Sequence, residues 1–82
     1  MQTMDEEMAR IIKVVAVQLE IDPGEIGETD HLIDDLGADS LTLVSVLAGI
    51  EQEFRVSIET EQIPRMTDVR GIRAVIADAP IW

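Results

Sequence analysis

The 82-residue chain contains no cysteine and no tyrosine, and only one phenylalanine and one tryptophan. Without cysteine there is no disulfide, no thiolate metal ligand and no cysteine nucleophile, so thiol chemistry would need an attached group. With so few aromatics, Val, Ile, Leu, Ala and Met must build the interior, which is then aliphatic, compliant and able to deform around a guest. Basic residues are scarce as well: six Lys and Arg against 17 Asp and Glu give a formal charge of -11. Such a field repels phosphate backbones, which excludes nucleic acid as a partner and favours surfaces bearing Lys and Arg. No apolar run is long enough to span a bilayer, and Met1 leads into Gln, Thr, Met and acids rather than a basic signal-peptide start. The expected location is cytoplasmic, with no stable membrane insertion.

What remains is helical patterning in a chain sized for one small domain over residues 1–82, too small for a large enzyme pocket. Thr3 and Glu6 have capping-box spacing, and Met4, Met8, Ile11, Ile12, Val15 and Leu19 follow at helical intervals. Periodicity stops between Glu20 and Asp39, where Pro23, Gly24, Gly27 and Gly37 mark a long loop that Ile26, Leu32, Ile33 and Leu36 are available to pin onto the core. A loop this long in a small domain is usually functional. A second helix is predicted from Ser40 to Phe54, with Leu43, Val46, Leu47, Ile50 and Phe54 as its buried stripe. Leu41, Val44 and Ala48 fall on nearly the opposite side, giving the helix a second apolar face suited to docking. Pro64 limits the next segment to a turn or two, short and mobile. Thr67 is then placed to cap a last helix whose inward residues are Val69, Ile72, Val75 and Ile76, ending before Pro80 and an Ile81–Trp82 tail.

Charge is unevenly distributed. Residues 1 to 54 hold 13 acids against Arg10 and Lys13, whereas residues 55 to 82 hold four of each sign. Several acidic or nucleophilic constellations nevertheless fail as sites. A hydrolase would need Ser40 activated by the single histidine, His31, but no G-x-S-x-G elbow exists. An EF-hand counted from Asp34 places Leu36 and Ala38 at ligand positions, so no metal site is expected. Asp34 and Asp35 read as a solvated acidic face rather than an acid/base pair, because nothing apolar is placed to perturb one against the other.

The run HLIDDLGADSLTLVSVLAGIEQEF, with its leucine, acidic pair, L-G-A-D-S-L and helix ending in E-x-x-F, resembles the acyl carrier proteins over nearly the whole chain. The resemblance implies an all-α, up-down bundle of three main helices plus a short third one, with a long loop between helices one and two. It implies that Ser40 is esterified with 4'-phosphopantetheine, whose thiol carries acyl groups as thioesters, and that the protein is not itself an enzyme and has no catalytic residues. Gly37, Asp39 and Leu41 would present the site to a phosphopantetheinyl transferase, with Gly37 and Ala38 keeping bulk away from the serine. Leu41, Val44, Ala48, Asp34, Asp35 and Glu51 would dock acyl-transferring and acyl-modifying enzymes through their basic patches, while Val46, Leu47, Ile50, Ile63 and Val75 would shelter the acyl chain of a monomeric carrier. A phosphodiester at a helix start is favoured by the helix dipole, by about 0.3 to 1 kcal/mol when exposed.

Two alternatives compete with that expectation: a peptidyl carrier domain, and a helical interaction domain with no prosthetic group. The first usually shows a second glycine and often a histidine before the serine, where this chain has Ala38 and Asp39. Two features depart from carriers of primary fatty acid synthesis. Thr42, Ser45, Ala48 and Gln52 leave helix two largely uncharged, and Pro64 interrupts the short helix. Both point to a specialised fatty acid, polyketide, modified-lipid or cell-envelope pathway.

Overall fold

The computed structural model describes residues 6 to 82. Three α-helices, α1 (Glu6–Leu19), α2 (Ser40–Phe54) and α3 (Val69–Asp78), are joined by segments containing two 3-10 helices, η1 (Pro23–Glu25) and η2 (Thr60–Arg65). This is the all-α arrangement of three main helices and a short one. Thr3 and Met4, and with them the proposed capping box, lie outside the described residues.

Each helix buries one stripe against the others. Met8, Ile11, Ile12, Val15 and Ala16 come from α1, Leu43, Val46, Leu47 and Ile50 from α2, and Val69, Ile72, Val75 and Ile76 from α3. The first two helices run antiparallel, because Arg10 pairs with Glu53 at 2.8 Å and Gln18 lies across a shallow groove from Ser45 and Ala48. Between those contacts a Cβ on Gly49 would come within 2.8 Å of Val14 Cγ1, so glycine is what lets the helices approach. Phe54, expected in the stripe, is half-buried, with the Arg10 guanidinium 4.4 Å from its ring centroid. A 2.7 Å ion pair between Arg73 and Glu7 ties α3 to α1.

The long loop is held by three buried side chains, Ile26, Leu32 and Ala38, and by backbone bonds from Leu32 N to Thr67 O at 2.8 Å and from Arg70 N to Glu28 O at 3.3 Å. Leu36 is half-buried, but Ile33 is 44% exposed and pins nothing. Its neighbour Leu32 takes the inward position of the turn, which turns Ile33 outward. The cap of α3 also differs from expectation: Asp68, not Thr67, accepts from Gly71 N at 2.7 Å, the N-cap to N3 spacing, while the Thr67 carbonyl serves Leu32.

Pro64 has no amide to donate, and η2 stays in the 3-10 form for its six residues, about two turns. Its C-terminal end is tied down. Arg65 pairs with Asp78 at 2.8 Å, Met66 is fully buried, and a Cβ on Gly71 would collide with the Arg65 carbonyl, so α3 packs directly on the backbone of η2. The tail after Pro80 is pinned as well. Val56 and Ile81 form an isolated antiparallel bridge, flanked by bonds from Ser57 N to Pro80 O and from Trp82 N to Arg55 O, each 2.9 Å.

Candidate functional site

The chain enters α2 through a reversal that only Gly37 accommodates easily. Its φ is +82°, in the left-handed region where a side chain would be strained, and its amide donates to Ile33 O at 3.2 Å. Ala38 N then donates to Leu32 O at 2.9 Å. Nothing lies within 4 Å of a Cβ built on Gly37, so the surface there is open. Ala38 is 6% exposed and part of the core, so its small size also serves packing.

Asp39 and Ser40 divide the work of the helix start. Asp39 is the N-cap, in extended backbone, and its Oδ1 accepts from both Thr42 N and Thr42 Oγ1 at 2.8 Å. Those bonds from Thr42 hold the Asp39 carboxyl below its ordinary value. Ser40 is the first residue of the helix and is exposed, and among the described residues no side-chain hydrogen bond engages its hydroxyl. The serine is therefore not the cap. An exposed free hydroxyl at the positive end of a helix, beside an open glycine surface, suits a covalently attached phosphodiester.

The preceding turn is organised by its own side chains. His31 Nδ1 accepts from Ile33 N at 3.3 Å and Asp34 N at 3.2 Å, so this nitrogen is engaged in the turn. Asp35 accepts from His31 N at 2.8 Å while remaining exposed, and the Asp34 side chain is 77% exposed, 3.8 Å from His31 Nδ1.

The outer face of α2 carries Leu41 at 76% exposure, Val44 at 44% and an exposed Ala48. Glu51 stands apart from this group. It is half-buried, and its carboxylate accepts from Ile58 N at 2.8 Å, which secures the turn after the helix. Glu53, the other acid of α2, is paired with Arg10. Val46, Leu47, Ile50 and Val75 share one buried cluster, with Ile63 packed at its margin. A surface cleft of about 200 Å³ reaches that cluster at Val75 and is otherwise lined by Ser57, Glu59, Gln62, Asp78, Ala79 and Pro80.

Two contributors escaped the sequence reading. Thr42 stands three residues after the cap, where a partner of the cap is expected, but it registered only as an uncharged position. The bond of Glu51 had no sequence signal, since its partner amide lies beyond the end of the helix.

A family model described as "Phosphopantetheine attachment site" matches residues 9–77. Among solved structures, a chain in one described as "The ishigamide ketosynthase/chain length factor" is similar at 35% identity and a TM-score of 0.75, over 96% of this chain and 100% of that one.

Proposed function

The chain belongs to the phosphopantetheine attachment-site family, whose members bear covalent 4'-phosphopantetheine and are carriers rather than enzymes, and from that premise we propose that Ser40 is the attachment point of an acyl carrier. The observation that carries the assignment is the Ser40 hydroxyl itself, exposed at the first residue of α2 and free because Asp39 does the capping. When bound, the prosthetic group supplies a flexible arm with a terminal thiol that bears acyl groups. The chain's own residues hold that arm, shelter its cargo and present it. Val46, Leu47, Ile50, Ile63 and Val75 are proposed as the yielding apolar shelter, supported by their membership of one aliphatic cluster. Leu41, Val44 and Ala48 are proposed as the docking anchor, with Asp34 and Asp35 as the charges that meet Lys and Arg on a transferase or acyl-processing enzyme.

The pathway we favour is polyketide assembly. Its support is the 35% identity to a chain from a ketosynthase/chain length factor structure, together with the uncharged outer face of α2. The carrier is read as a monomeric cytoplasmic domain spanning residues 1–82; no helix among the described residues is long and apolar enough to cross a membrane. Incubating the apo protein with coenzyme A, magnesium and a broad-specificity phosphopantetheinyl transferase should add one phosphopantetheine mass, and none to Ser40→Ala. Addition that persists in Ser40→Ala overturns the site. Faster acylation and elongation by primary fatty-acid enzymes than by a ketosynthase/chain length factor pair overturns the pathway.

A further inference from the structure

Among the described residues, three aspartates cap helical segments by accepting a backbone amide: Asp22 from Gly24, Asp68 from Gly71 and Asp39 from Thr42. Only Asp39 receives a second bond, from the Thr42 hydroxyl to the same oxygen, at 2.8 Å. The corresponding position of α3 is Gly71, which has no side chain to donate, yet that cap closes at 2.7 Å. A hydroxyl is therefore not needed to make the cap. It is present at the one helix start that begins with Ser40.

A single amide donor leaves a carboxylate some freedom to swing about its Cβ–Cγ bond. Two donors converging on one oxygen remove most of it and leave the second oxygen, Oδ2, free of Thr42. Asp39 is exposed, so that oxygen is available to a protein approaching its neighbour Ser40. On the reading of Ser40 as the attachment point, we propose that Thr42 is a positioning residue for its loading: the hydroxyl orients Asp39 so that Oδ2 is presented to the transferase. In the loading step a bond forms between Ser40 Oγ and phosphorus, the pyrophosphate bond of coenzyme A breaks, adenosine 3',5'-bisphosphate leaves, and the serine proton passes to solvent. Thr42 takes no part in those bonds. It prearranges a contact that the transferase would otherwise have to order for itself. An acidic residue at position 42 does not replace it, because a carboxylate has no proton to donate and repels Asp39.

The test is steady-state loading of apo protein with coenzyme A and a broad-specificity transferase, followed by intact mass, for wild type and for Thr42→Val, Thr42→Ser, Thr42→Asp and Asp68→Ala. Thr42→Val should raise KM for the carrier about tenfold with kcat little changed, the pattern of lost recognition rather than lost chemistry. Thr42→Ser should return KM to within about twofold of wild type, and Thr42→Asp should not rescue. Asp68→Ala, which weakens the α3 cap instead, should melt earlier yet load like wild type. Equal loading of Thr42→Val and wild type overturns the inference while leaving Ser40 as the site. So does a slowing by Asp68→Ala as large as that by Thr42→Val, since the effect would then follow stability. Failure of wild type to load overturns the attachment reading, and this inference with it.

Discussion

The loop of residues 20 to 39 and the helix that follows it divide two physical tasks. The loop holds eight acids, Glu20, Asp22, Glu25, Glu28, Asp30, Asp34, Asp35 and Asp39, and no Lys or Arg. The 15 residues of α2 hold only Glu51 and Glu53, and both are engaged within the chain. Exposed apolar surface is weighted toward the helix, with Leu41 at 76% and Val44 at 44%, against Ile33 alone at 44% on the loop. On the proposed docking reading, long-range attraction to a basic partner would belong to the loop and short-range adhesion to the helix, with Ser40 at their junction. Rim charge acts mainly on association and buried apolar contact on dissociation, so the two elements should be separable by kinetics.

The largest expected effects test whether loop and helix share one core. Ile50→Ala and Leu32→Ala each remove a fully buried side chain, and each should cost about 2 to 5 kcal/mol in urea unfolding, with Leu32→Ala toward the low end because a loop can settle into part of the cavity. A Leu32→Ala protein as stable as wild type would mean that the loop is merely draped over the bundle. Next comes the apolar anchor. Leu41→Asp should leave the melting temperature nearly unchanged, since the side chain is exposed, and raise the dissociation rate from a ketosynthase/chain length factor partner about tenfold or more. If the association rate falls instead, the division of labour is wrong.

Charge effects should be smaller. Asp34→Lys should slow association about threefold at low salt, and the difference should disappear in high salt. Asp34 is the cleaner probe, because Asp35 also holds the His31 amide. Placing charge on the helix with Ser45→Glu and Gln52→Glu should speed association with the basic rims of primary fatty-acid enzymes by about twofold at low salt. Position 42 is left alone in that design, since its hydroxyl is committed to Asp39.

The smallest effect concerns Asp39. Its carboxyl should titrate below the ordinary 3.8, and Thr42→Val should move the midpoint upward, as read by carboxyl-carbon nuclear magnetic resonance. A group with a depressed folded-state value contributes stability that is present above the unfolded value and lost as pH falls through the folded one. Any loss of α2 capping should accordingly appear only as pH falls below about 3.8.

The helices were legible because burial imposes period and period is written in residue type: the stripe Leu43, Val46, Leu47, Ile50 needs no structure to be seen. Pro64 was legible for the same local reason, a missing amide. Side-chain commitments were not. Nothing in the sequence distinguishes an acid that faces solvent from one that, like Glu51, reaches an amide seven residues away. Ile33 and Leu32 are chemically alike, and only the turn decides which points inward. Thr67 and Asp68 are both good caps, and only the fold shows that Asp68 takes the cap while the Thr67 carbonyl is bonded to the loop. Ser40 stood out by motif, but the reason its hydroxyl is free, that Asp39 and Thr42 close the cap without it, is a matter of geometry.

The bridge between Val56 and Ile81 also bears on how the protein can be handled. Trp82 N is bonded to Arg55 O, the residue directly after α2, while Ser40 stands at the other end of a helix about 22 Å long. A fluorophore, a resin or a fused module joined after Trp82 thus departs from the pole remote from the serine. Immobilisation through a tag joined after Trp82 would orient every molecule with Ser40, the proposed attachment point, toward the flowing enzyme, whereas the same attachment through α2 would block it.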